Sequence, residues 1–426
     1  MVSCYRGVVA RRLTRGERQV DTTQHDTPLV LEAQASRSVA VLCELLEQNS
    51  VGVVSDVARV GAVLIRGFNI VSESEFERAV LSIDGIRGIK HVLMSEDGRT
   101  VVPGSHCVLY TNAKYRTGGT AGLGRFHSEN YYCPDVPRYV ALWCKQAPWL
   151  GGETGLVNLA GVYGDLPTPL QRALAQRPYL AAVWDLRDIC DRYGVTADDM
   201  RAVCAGAGLQ VLRHGDTERV LMYKPSVLIH PFTREPALAI NFSLGLESSG
   251  LEHALISAFG PDYGRWYWAL HRLTWRHPKG ARVVRTALAM VRERGLLLHL
   301  VSAWLQRRLS QQQGRQRSPG PGPGHDDSMY RRVSDAFRSV DIPILAAAMR
   351  RRFSSFLWQV GDVLLIDNLK MAHAGMAGAG PRCLRAMICN PVELPFRPSG
   401  SGLCDVVGDG PEETLGARVV SLGRKQ

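Results

Sequence analysis

Two histidines and one carboxylate dominate the chemistry this chain can do. His127-Ser128-Glu129 sets an imidazole and a carboxylate two residues apart, and His373 stands far down the chain, shortly before Arg382. Two imidazoles with one carboxylate form the ligand set of a non-haem Fe(II) oxygenase. A facial triad of this kind covers one side of an octahedral metal. It leaves three positions open, where O2 and a chelating cosubstrate bind. His127 and Glu129 point the same way only if the backbone between them is extended or turning. The third ligand must arrive on a distant strand. Taken alone, His-x-Glu is a weak signal, because two-residue patterns recur by chance and a lone histidine is more often a hydrogen-bonded core or surface residue.

The elements that must position these groups are legible around them. Gly61 to Phe68 reads as a buried strand ended by a glycine turn. Ser38 to Leu46 has helical spacing, and Ser72 with Glu75 forms a capping box that opens a helix running to about Ser82. Tyr139 to Cys144 is rich in aromatic and β-branched residues and reads as a strand, followed by a Gly151-Gly152 turn and a strand from Thr154 to Val157. Lys224 to Ile229 and Ala237 to Phe242 read as a strand pair. Gly361-Asp362 opens a continuous apolar strand, Val363 to Asn368. Ala374 to Pro381 reads as a glycine-rich loop and Cys383 to Cys389 as the returning strand. Short strands in both halves, separated by turns, point to an antiparallel sandwich or barrel.

Charge is unevenly spread. The net charge is +11, and Arg265 to Arg317 alone holds twelve Lys and Arg against one acid, Glu293. The remainder is therefore near neutral, and the basic stretch needs its own explanation. Apolar residues on helical faces, interrupted near Pro278-Lys279-Gly280 and Gly295, read there as two or three amphipathic helices. Gln311 to Gly324, ending in the Pro-Gly repeat from Pro319, reads as a low-complexity linker. Ten scattered cysteines without a CxxC pair fit reduced thiols in a cytoplasmic protein. No run of eighteen apolar residues occurs, and the basic N-terminus lacks the apolar stretch of a secretory signal.

Phe126-His127-Ser128-Glu129-Asn130-Tyr131-Tyr132, Pro137-Arg138-Tyr139, Trp143-Cys144 and Gly151-Gly152-Glu153-Thr154 resemble the first signature of the TauD/TfdA family of Fe(II)- and 2-oxoglutarate-dependent oxygenases. Trp358 to Asn368, His373 and Gly380-Pro381-Arg382 resemble the second. The resemblance covers about residues 50–250 and 328–395. It implies that His127, Glu129 and His373 hold Fe(II). It implies that an arginine grips the far carboxylate of 2-oxoglutarate, a task suited to a planar bidentate cation. Arg382 and Arg385 both stand in place for this; the family often spaces two arginines four apart, here they are three apart, and the choice stays open. Thr154 matches a threonine that also contacts 2-oxoglutarate. Asp367 and Asn368 read as strand-end residues that orient the His373 loop, and Asn241 as a pocket residue or an internal hydrogen-bond partner.

Glu129 stands where aspartate is common, and where halogenating relatives carry alanine or glycine. His-x-Glu, with Leu109 to Asn112 and Tyr115 ahead of it, resembles the branch acting on amino acids, free or carrier-tethered, in secondary metabolism. The expected fold is mainly β with flanking helices: a double-stranded β-helix, a jelly-roll and cupin-like core with a helical insertion. Residues 1–35 are a poorly patterned N-terminal segment. Residues 36–395 are the oxygenase domain, with a basic helical insertion and linker at 251–327, and residues 396–426 are a C-terminal tail. The expected activity is O2-dependent hydroxylation of an amino acid or small carboxylate, releasing succinate and CO2. Desaturation of another metabolite, or a non-catalytic protein that kept the fold, are the alternatives. The basic segment offers a solvated cap, a dock for an acidic carrier protein, or a membrane or nucleic-acid contact; nucleic acid is the least expected partner.

Overall fold

The computed structural model describes residues 5, 7–18, 24–94, 100–111, 126–214, 216–239, 250–259, 333–376, 378–379, 382–394, 400, 402–406 and 413–424. Asn112, Tyr115, Asn241 and the basic segment 265–317 with its linker lie outside them.

The strands are β1 (Val8–Arg11), β2 (Leu29–Ala33), β3 (Ala62–Arg66), β4 (Leu109–Tyr110), β5 (Val136–Gln146), β6 (Leu150–Gly151), β7 (Thr154–Asn158), β8 (Tyr179–Asp185), β9 (Gln210–His214), β10 (Thr217–Lys224), β11 (Val227–Ile229), β12 (Pro236–Leu238), β13 (Phe353–Phe356), β14 (Val363–Asp367), β15 (Met371–Gly375), β16 (Gly378–Ala379), β17 (Cys383–Val392) and β18 (Leu403–Asp405). The main sheet runs β1-β2-β3-β14-β5-β17-β4. A three-stranded sheet, β13-β7-β15, faces it, and β16 pairs with β6 alongside. The chain steps from β5 to β7 and then, later, from β13 to β14, β15 and β17. Each step swaps sheets, which is the winding of a jelly roll.

Alternation along the strands explains the layers. In β3, Ala62 and Leu64 face the space between the sheets, while Val63 and Ile65 pack outward. The inner layer joins Leu64, Val140, Leu142, Leu364 and Ile366 to Leu156, Phe356 and Met371 of the small sheet. The outer face of the main sheet is covered by helices Val39–Gln48, Ser50–Val60 and Glu73–Leu81. The expected capping box forms, with Ser72 and Glu75 each bonding the other's backbone. Helices Leu159–Asp165, Leu251–Phe259 and Asp341–Arg351 cover the small sheet. Leu251, Leu255 and Phe259 pack in one core with Leu345 and Met349, so the start of the stretch read as an insertion belongs to the body of the protein.

Other readings shift. The N-terminal segment is not patternless in space: β1 pairs with β2, and β2 runs parallel to β3. The strand pair expected from Lys224 begins only at Val227, because Pro225 lacks an amide donor and the amides of Ser226 and Val227 both turn to the Gly402 carbonyl. Half of the expected loop at Ala374 to Pro381 is strand, and His373 sits within β15. In the C-terminal stretch, β18 pairs parallel with β11, and a helix spans Leu415–Gly423. Among the described residues, no helix is long and apolar enough to cross a membrane.

Candidate active site

His127 enters just before β5, and His373 lies in β15. The two are joined directly: the His127 amide donates to the His373 carbonyl at 3.1 Å, and the His373 amide returns the bond at 2.9 Å. Their rings sit 4.5 Å apart between centroids. Glu129 is buried beside them, with Oε2 at 3.9 Å from His127 Nε2 and 3.8 Å from His373 Nε2. The three donor atoms fall within 4.8 Å of one another. Two imidazole nitrogens and one carboxylate oxygen around a common point, with no thiolate among them, suit a divalent iron-class cation. Glu129 Oε1 accepts the Asn130 amide at 3.2 Å, Asn130 standing in a left-handed turn (φ 54°).

A second group of polar residues adjoins this one. Thr154, 2% exposed, opens β7; its Oγ1 accepts from Arg382 Nη2 at 3.0 Å and from Trp358 Nε1 at 3.1 Å. A hydroxyl that accepts twice keeps its own proton to donate. Across the β7–β15 ladder His373 lies opposite Leu156, and Thr154 is two residues from Leu156 on the same face. That diagonal spans roughly 7–8 Å.

Arg382 is half-buried. Burial lowers its pKa to about 10, opposed by the nearby Cys144. Its Nε is closed off from solvent with no hydrogen-bond partner, and no described carboxylate contacts it. Arg385 is placed apart. The register shift between Cys383 and Leu384 turns it so that Nε donates to Glu73 at 3.0 Å and its guanidinium lies 4.8 Å from the centre of the Tyr110 ring. Of the two arginines singled out in the sequence, one therefore joins Thr154 and the other is ion-paired elsewhere.

Asp367 holds the turn that leads to His373, its Oδ1 accepting the Leu369 amide at 3.1 Å and its carbonyl the Lys370 amide at 3.2 Å. Asp367 Oδ2 accepts from His230 Nε2 at 2.8 Å; His230 Nδ1 accepts the Thr233 amide at 3.1 Å, so the proton is assigned to Nε2. Asn368 instead reaches across to Glu129. The sequence reading also missed Lys224. Its buried ammonium donates to the Tyr131 carbonyl at 2.5 Å and to the Cys133 carbonyl, bracing the turn after Glu129. Burial pulls Lys224 down to about 7, opposed by Cys133 and Asp135. A lysine at the end of an amphipathic strand gives no sequence sign of such a contact.

The family described as "Taurine catabolism dioxygenase TauD, TfdA family" matches residues 25–295. That span is more than half of the chain, and the chain belongs to the TauD/TfdA family: it is an Fe(II)- and 2-oxoglutarate-dependent dioxygenase that uses O2. The matched span holds His127 and Glu129; His373 and Arg382 lie beyond it and reach the site through the fold. Among solved structures, a taurine dioxygenase from Burkholderia xenovorans is similar at 11% identity and TM-score 0.45, over 98% of this chain and 99% of that one. PvcB from Pseudomonas aeruginosa is similar at 13% identity and TM-score 0.45, over 90% and 92%. A structure titled as PvcB, an Fe, alpha-ketoglutarate dependent oxygenase from an isonitrile synthetic pathway, is similar at 14% identity and TM-score 0.43, over 90% and 95%. The assignment rests on the family match and draws nothing from these three. No curated protein matches the chain.

Proposed function

We propose that His127, Glu129 and His373 are the Fe(II) ligands, that Arg382 and Thr154 bind the far carboxylate of 2-oxoglutarate, and that the enzyme hydroxylates an unactivated C–H of an amino acid or related small carboxylate. The observation that carries this reading is the convergence of the three donors beside an arginine that no described carboxylate answers. Arg385 is left out of the cosubstrate site because Glu73 already holds it.

Bound Fe(II), with 2-oxoglutarate and O2, supplies an oxidant strong enough to take hydrogen from an unactivated carbon, with succinate and CO2 released. The chain's own part is placement and exclusion of water. Arg382 offers two parallel N–H groups to a carboxylate. Thr154 gives its remaining proton to the same group, and Trp358 holds Thr154 in place. Leu156, Phe356 and Met371 wall the interior with apolar surface.

The amino-acid reading draws on His-x-Glu at 127–129 and its resemblance to that branch of the family. Desaturation on the same site is the second outcome to look for. The twelve cations between Arg265 and Arg317 favour an acidic carrier protein bearing the substrate, since such a stripe steers acidic partners in a salt-dependent way. We place the oxygenase domain at 36–395 together with β1, β2 and β18, which the sheets draw into it, with the inserted basic part starting after Phe259. A reducing, cytoplasmic setting is in keeping with nine unbridged cysteines among the described residues. The test is incubation with Fe(II), 2-oxoglutarate and air, scoring succinate and a product heavier by one oxygen, across free amino acids and carrier-loaded aminoacyl thioesters. His373→Ala should abolish both signals. Succinate release unchanged in that variant would sink the ligand assignment, and a product lighter by two hydrogens would select desaturation.

A further inference from the structure

Asn368 follows β14 directly, yet its side chain is committed to the other half of the site. Oδ1 accepts the Glu129 amide N–H at 2.6 Å, and Nδ2 donates to the Glu129 carbonyl at 3.0 Å and the Pro137 carbonyl at 2.8 Å. One amide therefore closes on both backbone polar groups of the carboxylate residue. Only this orientation satisfies all three bonds; the reverse would set NH2 against N–H and an oxygen against two carbonyls. Asn368 is 1% exposed, so these bonds are made away from bulk water.

The bracket is itself anchored. The Asn368 amide donates to the Arg138 carbonyl at 2.8 Å, and its neighbour Asp367 is held by His230, by the Leu369 amide at 3.1 Å and, through its own N–H, by the Gly61 carbonyl at 2.9 Å. Glu129 keeps little freedom after that. Its backbone is gripped on both sides, and Oε1 is occupied by the Asn130 amide, so Oε2 is the oxygen left facing the imidazoles. We infer that Asn368 is a positioning residue for the metal centre, fixing the Glu129 backbone so that a single carboxylate oxygen is presented to the ion. This rests on the ligand assignment made above.

Asn390 provides a matched control. It closes a similar bracket on a turn that carries no ligand: Oδ1 accepts from the Arg87 amide at 3.0 Å and Nδ2 donates to the Gly85 carbonyl at 2.7 Å. The experiment titrates metal-free protein with Co(II), following visible absorption, and melts the same samples without metal. Asn368→Asp and Asn368→Ala should weaken Co(II) binding by about 10- to 100-fold and change the saturated spectrum, while Asn390→Ala stays within about threefold of wild type. The metal-free melting temperatures of the Asn368 variants should fall no further than that of Asn390→Ala. Wild-type affinity and spectrum in either Asn368 variant would overturn the inference. So would an equal loss in Asn390→Ala, or collapse of both Asn368 variants while Asn390→Ala folds. If His373→Ala bound Co(II) as wild type does, the ligand assignment itself would fall, and the bracket with it.

Discussion

Arg66 and Arg382 are two arginines drawn out of water, and they differ in what answers their charge. Arg66, 1% exposed at the end of β3, grips both oxygens of Asp362 at 3.0 and 2.7 Å, reaches Glu17 at 2.5 Å and donates to the Leu357 carbonyl at 2.9 Å. Burial opposes its charge, but Asp362 and Glu17 outweigh that and push its pKa up. Arg382 has Thr154 and no described carboxylate, and its pKa is pulled down to about 10. A buried cation with its anions built in stitches the N-terminal segment, β3 and the turn before β14 together. A buried cation lacking one is costly until something acidic arrives. The same residue type thus reads as scaffold in one neighbourhood and as receptor in the other.

Five substitutions and one acid titration sharpen that contrast. Arg66→Ala should be the most damaging to the fold, since it strands the buried Asp362; a loss of about 3–5 kcal/mol in urea unfolding is expected. A loss under about 1 kcal/mol would show the pair to be dispensable. Arg382→Ala should leave unfolding almost unchanged and weaken 2-oxoglutarate binding by roughly 2–5 kcal/mol, read by calorimetry. Arg382→Lys should not restore binding, because a point charge cannot make the paired contacts. Unaltered affinity in Arg382→Ala would remove the receptor reading.

Acid titration addresses the scaffold side. Burial alone would raise Glu17, but hydrogen bonds from Arg11 and from the Thr14 amide and hydroxyl overcome it and hold the carboxyl at about 2, against an ordinary 4.5. A depressed carboxyl lends stability that is present above 4.5 and is lost as pH falls from 4.5 towards 2. Melting temperature should decline through that window, and the decline should be shallower in Glu17→Gln. Arg385→Ala should have the smallest effect: Glu73 keeps its second partner, Lys145, and 2-oxoglutarate affinity should not move. A large affinity loss there would reopen the choice between the two arginines.

Much of the metal-facing architecture was readable from residue order, and the reasons are local. Gly61 and Gly67 take left-handed φ values of 88° and 86°, bounding β3 where the glycines stood in the sequence. The Ser72 capping box and the apolar run at Val363 depend on neighbours a few residues away. What escaped was set by distant partners. β1 and β2 are short and unremarkable as text, and become strands because β3 offers an open edge. Lys224, His230 and the true target of Asn368 became visible only once chain segments about 90 to 240 residues apart were side by side.

The paired amides of His127 and His373 span nearly the whole interval between the family's two signatures, and helix Leu251–Phe259 packs against helix Asp341–Arg351 inside that interval. The two helices thus meet on the body before the second signature begins. The same interval is thus closed twice, once by backbone amides and once by side chains, and a change to either closure leaves the other's contacts standing.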